Sequence, residues 1–180
     1  MNKLIKLNLP QFLLILNGPY CAGKSSVAQY LLDNYDGIFR AWRDRIKWMI
    51  AGYQAERDGK ITAEMTMALI DVALSHGLSV VQDQAITLGW EGKYQLMAKK
   101  YETKLIEVNI EASYEVLEKR FAERVAAAKV GAKISMTDPE KMREQYFYYQ
   151  KHKNNDNLTY FSDQKTPVEI AEEIIKCINN

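Results

Sequence analysis

The chain has 180 residues, 47% of them hydrophobic and 26% charged, with 24 basic against 23 acidic side chains and a formal charge of +1. That length fits one domain with at most a small lid, and folding buries roughly 70% of the unfolded surface, enough for a core without staples. The charge balance argues against binding along extended nucleic acid, which calls for a clear basic excess, and leaves recognition of a nucleic-acid end by a local cluster open.

Residues 1–11 carry two lysines, and the apolar run after them is six residues long, which fits neither a signal peptide nor a membrane span. That run, Phe12-Leu13-Leu14-Ile15-Leu16-Asn17, reads as a buried strand. It feeds Gly18-Pro19-Tyr20-Cys21-Ala22-Gly23-Lys24-Ser25-Ser26, the pattern G-x-x-x-x-G-K-[ST] between a strand and a helix. Gly18 and Gly23 let the backbone curl so that its amides converge on phosphate oxygens, and the helix N-terminus behind them adds partial positive charge. Lys24 is placed to reach the β- and γ-phosphates, the Ser25 hydroxyl to hold Mg²⁺, and Ser26 to donate to an α-phosphate oxygen. The loop is expected to bind a nucleoside triphosphate. Cys21 fills a variable position of it, and only a lowered pKa would make that thiol reactive. With Cys177 as the other cysteine, no disulfide framework is implied and a reducing cytoplasm is the simpler setting.

The first helix is expected from Gly23 or Lys24 to about Tyr35, with Val27, Leu31 and Leu32 on one face and Asp36-Gly37 as its stop. Ile38–Trp42 reads as a second strand ending in Arg43-Asp44-Arg45, after which Ile46, Met49, Ile50 and Tyr53 fall at helical spacing. Asp58-Gly59 reads as a turn, and Thr62 as the N-cap of a helix carrying Met65, Ala68, Leu69, Val72 and Ala73 inward. His76-Gly77 closes that helix, with His76 favourable toward its dipole and no second His or Cys nearby for a metal. Leu78–Gln82 is the third strand and delivers Asp83 to its carboxyl end.

A loop is expected at Thr87–Gly92, a helix at Tyr94–Lys100 and a fourth strand at Thr103–Ile110. Ser113 caps a helix through Val116, Leu117, Phe121 and Val125, and residues 126–138, with Lys129 and Lys133, read as a lid. Asp138-Pro139-Glu140 opens a helix through Met142, Tyr146 and Tyr149. Leu158–Phe161 is a short fifth strand, and Thr166-Pro167-Val168-Glu169 is a capping box opening a last helix with Ile170, Ile174 and Ile178 inward. The alternation predicts an α/β fold over residues 1–180: a P-loop NTPase three-layer α/β/α sandwich around a five-stranded parallel sheet.

A phosphate loop says that a nucleotide binds and leaves its fate open. Switch GTPases also need Asp-x-x-Gly and Asn-Lys-x-Asp, whereas Asp83 is followed by Gln84-Ala85-Ile86 and Asn154-Asn155-Asp156 is not the guanine motif. Transport and ring ATPases fit poorly, because the chain has little room for their extra elements and no Leu-Ser-Gly-Gly run. The small P-loop kinases remain. The chain resembles those grouped around the polynucleotide 5′-hydroxyl kinases, with zeta toxins and chloramphenicol phosphotransferase as looser relatives. The resemblance rests on Gly18 to Ser25, Arg43-Asp44, Asp83 after Ser79-Val80-Val81-Gln82, and Arg120 with Arg124.

The resemblance implies that Asp44 accepts the proton of the acceptor hydroxyl, and that Lys47 stands where polynucleotide kinases carry an arginine for the acceptor's phosphate. Lysine offers a point charge in place of a bidentate fork. Chemistry supports a base at Asp44, because a hydroxyl is a weak nucleophile and the cluster follows a strand beside the phosphate loop. A surface ion pair with Arg43, Arg45 or Lys47 is the competing reading. Asp83 has the form of a carboxylate that holds Mg²⁺ with Ser25. Arg120 and Arg124, four apart on one helix face, suit either a transferring phosphoryl or pairing with Glu118 or Glu123. Trp42 and Trp48 flank the base and shape an acceptor pocket, and Ser162 to Lys165 lie where related kinases cradle adenine. The expected activity is transfer of the γ-phosphoryl of ATP, with Mg²⁺, to a hydroxyl acceptor: a nucleic-acid 5′ end, or a nucleoside, sugar nucleotide or antibiotic. The alternative is a nucleotide-binding regulatory module with weak ATPase activity.

Overall fold

Five apolar runs pair into one parallel sheet in the computed structural model, which describes residues 4–6, 9–83, 91–131 and 134–179. The elements in order are β1 (Phe12–Asn17), α1 (Lys24–Asn34), β2 (Ile38–Arg40), α2 (Arg43–Met49), α3 (Ala55–Ser75) and β3 (Ser79–Asp83). They continue with α4 (Glu91–Lys100), β4 (Lys104–Glu111), α5 (Tyr114–Lys129), α6 (Pro139–His152), β5 (Leu158–Phe161) and α7 (Pro167–Asn179). The strand order is β2-β3-β1-β4-β5, every pair parallel. β1 is central and all six of its residues are buried, as a strand covered on both faces must be.

Phe12, Leu14 and Leu16 face one core with Val27 and Leu31 of α1, Leu117 and Phe121 of α5, and Ile170, Ile174 and Ile178 of α7. Leu13 and Ile15 face the other, with Ile70, Ala73 and Leu74 of α3 and Tyr94 of α4. The strands that follow β1 lie on both sides of it, so the crevice at its carboxyl end is the place where open α/β sheets take ligands. No helix among the described residues is long and apolar enough to cross a membrane.

The caps at the C-terminal end match their sequence signals. Asp138 accepts from the Glu140 and Lys141 amides, and Thr166 and Glu169 exchange the reciprocal bonds of a capping box. Residues 126–129 are the last turn of α5, so the stretch read as a lid begins inside that helix, and its Lys133 lies outside the described residues. The loop expected at 87–92 lies outside the described residues up to position 90, and α4 already includes Gly92.

Two expectations need correcting. The second strand stops at Arg40, two residues early, because α2 opens directly at Arg43. The third helix starts at Ala55 and runs through Asp58-Gly59, where the Asp58 carboxylate accepts from the Gln54 amide at 2.8 Å. Its buried face is Thr62, Thr66, Ile70, Ala73 and Leu74, whereas Met65, Leu69 and Val72 are 40–56% exposed. The helical period is right and the phase is wrong. Arg43 sets the phase, donating from Nη2 to Gly59 O at 2.8 Å and from Nε to Thr62 Oγ1 at 3.4 Å, while the Thr66 hydroxyl donates to Thr62 O at 2.7 Å. With helix carbonyls to bond, the two hydroxyls are buried without an unpaired group.

Gly18 sits where the strand becomes the phosphate loop, at φ +152°, and a Cβ there would lie 2.1 Å from the Ile110 carbonyl oxygen of β4. Both groups are backbone, so neither can turn aside. Gly18→Ala is therefore expected to lower Tm by more than about 4 °C in differential scanning calorimetry, corresponding to at least about 2 kcal/mol of strain in a chain of this size.

Candidate active site

The phosphate loop is shaped before any ligand arrives. Gly18 and Gly23 have positive φ, and Cys21 adopts the same left-handed region at φ +66°, a strained choice for a residue with a side chain. Lys24, buried, folds back over the loop and donates from Nζ to Gly18 O at 2.9 Å and Pro19 O at 2.6 Å. Burial lowers its pKa from 10.5 to about 8; the carboxylates of Asp83 and Asp44 favour its charge, and Arg124 opposes it. Ala22, Gly23, Ser25 and Ser26 complete the curl, with the Ser26 amide donating to Gly23 O at 3.0 Å. Burial raises the pKa of the Cys21 thiol despite Arg124, Lys24 and Arg120 around it, so it is held as a thiol.

Ser25 leads from the loop to β3. Its hydroxyl donates to Asp83 Oδ2 at 2.6 Å, so the hydroxyl and the strand-end carboxylate form one group of hard oxygen donors. That pair fits Mg²⁺ when the remaining ligands are phosphate oxygens and water. Asp83 is in turn gripped by Arg40, which donates from Nε to Oδ1 at 3.0 Å and from Nη2 to Oδ2 at 2.7 Å. The third nitrogen of the fork, Nη1, bonds Gln29 Oε1 at 2.9 Å, and the guanidinium carbon stands 3.8 Å from the centroid of the Trp42 ring. The side chains of this pair are 4% and 2% exposed. Arg40 belongs to no motif, although a signal exists in the sequence: it alternates with Ile38 onto the face covered by α1, where a charge must find a partner.

Asp44 and Lys47 share one turn of α2 and meet at 2.7 Å. Of the three ion-pair partners open to Asp44 in the sequence, Lys47 is the one engaged. Both are part-exposed, and the Asp44 carboxylate is one of the weaker influences favouring the charged form of Lys24. Trp42 and Trp48 meet edge to face at 6.2 Å, and the Arg45 guanidinium lies 4.5 Å and 5.4 Å from their centroids.

On the opposite side, α5 closes on the loop. Arg120 donates to Cys21 O at 3.3 Å, Ser162 Oγ at 2.8 Å and Ser162 O at 2.8 Å, tying the phosphate loop to the segment after β5. Arg124 lies 5.5 Å over the Tyr20 ring, which also meets Phe121 edge-on at 6.0 Å. Neither arginine pairs with Glu118 or Glu123 among the described ion pairs. A second residue that geometry marks and no motif does is Gln145 of α6, whose Oε1 accepts from the Tyr20 amide at 3.2 Å. It shares a helix face with buried Met142 and Tyr149, and a polar residue on an inward face is the signal that singles it out.

The sheet order, the loop and the Ser25–Asp83 pair define a P-loop nucleotide-binding protein with the fold of the P-loop kinases. A family model described as an AAA domain matches residues 13–148, and the chain belongs to that family. No curated protein matches it. Among solved structures it is similar to a candidate kinase from Chloroflexus aurantiacus, with 16% identity over 93% of this chain and 98% of that one and a TM-score of 0.69. It is also similar to the Mycobacterium tuberculosis APS kinase in complex with AMPPNP and APS, with 19% identity, 96% and 99% covered, and a TM-score of 0.61. A chain of the Pnkp1/Rnl/Hen1 RNA repair complex is similar at 25% identity over 81% of this chain and 47% of that one, with a TM-score of 0.55.

Two outcomes follow from these contacts. Lys24 binds fewer protons folded than unfolded between pH 8 and its ordinary 10.5, so the ligand-free fold gains stability as pH rises through that window. Phosphate oxygens favour the ammonium, so binding there takes up a proton and affinity falls above pH 8. Calorimetric titration of Mg·ATP at pH 8.5 in buffers of different ionisation enthalpy should show that uptake, and Lys24→Met should remove it. Arg40→Met leaves the Asp83 carboxylate buried without its fork, which costs about 3–5 kcal/mol and lowers Tm by roughly 10 °C. Arg40→Lys should recover only part of the loss, because one ammonium cannot span both oxygens.

Proposed function

We propose that this protein is an ATP-dependent kinase that transfers the γ-phosphoryl group to the hydroxyl of an acceptor. The observation that carries the reading is convergence at the carboxyl ends of three adjacent strands. Lys24 stands after β1, the Ser25–Asp83 pair joins α1 to β3, and Asp44 lies in the first turn of α2, directly after β2. A protein that only binds nucleotide has no use for the carboxylate of Asp44 at that place.

In this mechanism the phosphate loop holds the phosphates through backbone amides such as those of Gly23 and Lys24. Lys24 leaves the Gly18 and Pro19 carbonyls for the β- and γ-phosphate oxygens. Ser25 and Asp83 would hold Mg²⁺, which would offset the negative charge of the phosphates. Arg40 keeps both Asp83 oxygens fixed, one of them on Ser25. Asp44 takes the proton of the acceptor hydroxyl as its oxygen attacks phosphorus in line, and the bond to the β–γ bridging oxygen breaks to leave ADP. Lys47 holds the Asp44 carboxylate at 2.7 Å, and with Arg45 presents positive charge to an acceptor. Arg120 and Arg124 orient the far side of the loop toward the transferring group.

The acceptor reading is a nucleic-acid 5′-hydroxyl end. Support comes from the Arg43-Asp44 resemblance, from Arg45 beside the Trp42 and Trp48 rings as positive charge for a phosphate, and from the similarity to a chain of an RNA repair complex. Small acceptors are the second reading, supported by the similarity to a kinase solved with AMPPNP and APS.

The test is transfer from γ-labelled ATP to a short 5′-hydroxyl oligonucleotide with and without Mg²⁺. Label on the oligonucleotide is the expected result; ADP release stimulated only by small hydroxyl compounds would move the acceptor class, and slow acceptor-independent hydrolysis would favour the regulatory module. Asp44→Asn should lower turnover by about 10²–10⁴-fold, the usual worth of a general base, with ATP affinity nearly unchanged. Unchanged turnover in that variant removes Asp44 as the base.

A further inference from the structure

Gln145 lies on α6, outside every group given a role above, yet it touches the phosphate loop across 125 positions of sequence. Its Oε1 accepts from the Tyr20 N–H at 3.2 Å. The carbonyl of that same peptide group, Pro19 O, accepts from Lys24 Nζ at 2.6 Å. One peptide plane therefore carries Lys24 on one edge and Gln145 on the other. Lys24 marks the β/γ end of a bound triphosphate, since its ammonium is the group that reaches those phosphates, while Ser25 and Ser26 at the helix start serve the metal and the α end. Gln145 thus holds, from the opposite edge, the same loop peptide that Lys24 holds.

A carboxamide whose oxygen is engaged still has two N–H donors on the neighbouring nitrogen. The helix that carries it is fixed. Tyr149 donates to Glu111 Oε1 at 3.0 Å, and Lys153 donates to both Glu111 oxygens at 2.8 Å and 2.9 Å, bolting α6 to the end of β4. Met142 and Tyr149, on the same face as Gln145, are 2% and 1% exposed. The loop side is equally constrained, with the Tyr20 ring held between Phe121 and Arg124. A carboxamide held by its oxygen on the loop, on a helix tied to Glu111, keeps its donors beside the phosphate loop.

We propose that Gln145 is a γ-phosphate-binding residue: its Nε2 donates to a γ-phosphoryl oxygen and makes the loop discriminate triphosphate from diphosphate. This rests on the reading of the loop as an ATP site and is independent of the acceptor. If Gln145 merely held the loop in shape, its loss would weaken ATP and ADP alike, because both use the same β-phosphate nest.

Gln145→Glu separates the two roles. It preserves length and the oxygen that accepts from Tyr20, and it replaces the donor with a carboxylate. Titration calorimetry of the full chain with Mg·AMPPNP and Mg·ADP reads the difference. AMPPNP affinity should fall about tenfold or more relative to ADP, the scale of one charge-assisted hydrogen bond. Gln145→Met removes the donors and also the acceptor for the Tyr20 amide, so it should weaken both nucleotides, AMPPNP by the larger factor. Equal losses for both nucleotides, or no loss for either, overturn the proposal while leaving the ATP site intact. A wild-type chain that binds neither nucleotide overturns both readings together.

Discussion

The bidentate pair between Arg40 and Asp83 is the constraint on which the site depends. It joins the edge strand β2 to β3, and through Ser25 it reaches the first turn of α1. Taking two charges out of water costs several kcal/mol each, recovered only when geometry is good and the remaining protons and lone pairs are satisfied. Here every group is used: Gln29 takes the third guanidinium nitrogen, the Trp42 ring lies against its carbon, and Ser25 donates to the carboxylate. A packed apolar pair would serve stability as well, so the retention of ions at this place is explained by what Asp83 faces. The carboxylate is fixed to within a hydrogen bond of the hydroxyl that opens the helix behind the phosphate loop.

The loop itself is held from three directions, and apart from Lys24 the holders come from distant parts of the sequence. Its first glycine backs onto the Ile110 carbonyl so closely that no side chain fits. Its middle is tied by Arg120 to Cys21 O and to Ser162. Its outer peptide bridges Lys24 and Gln145. A loop with a non-glycine residue in the left-handed region would relax if left alone. The external bonds explain why Cys21 can stay there, and they leave the amides in place for an anion without reorganisation on binding.

Charge around the loop is arranged as a near balance that a nucleotide completes. Lys24, Arg120 and Arg124 surround it, and burial together with Arg124 makes the ammonium easier to lose than in water. Asp83 and Asp44 hold that ammonium in its charged form from the β3 and α2 sides. An incoming polyphosphate adds negative charge at the one point where positive groups already crowd. The same crowding favours a thiolate at Cys21, which stays protonated because its own burial outweighs the three cations. That comparison shows which effect wins in this pocket: desolvation is larger than any single charge at both Cys21 and Lys24.

What is legible in the sequence follows from how local each feature is. β1, the loop and α1 are readable because one glycine-bounded motif specifies all three, and Thr166 to Glu169 because a capping box is complete within four residues. The inward face of α3 is not readable, because hydrophobicity alone chooses Met65, Leu69 and Val72, while the packed face is chosen by Arg43 reaching Gly59 and Thr62 from another helix. Arg40 and Gln145 share that origin. Each is a polar side chain on a face that periodicity assigns to the core, and each is resolved by a partner 43 or 125 positions away. A polar residue at a core position is thus the local trace of a non-local bond: the pattern tells that a partner must exist, and only the sheet order tells which one it is.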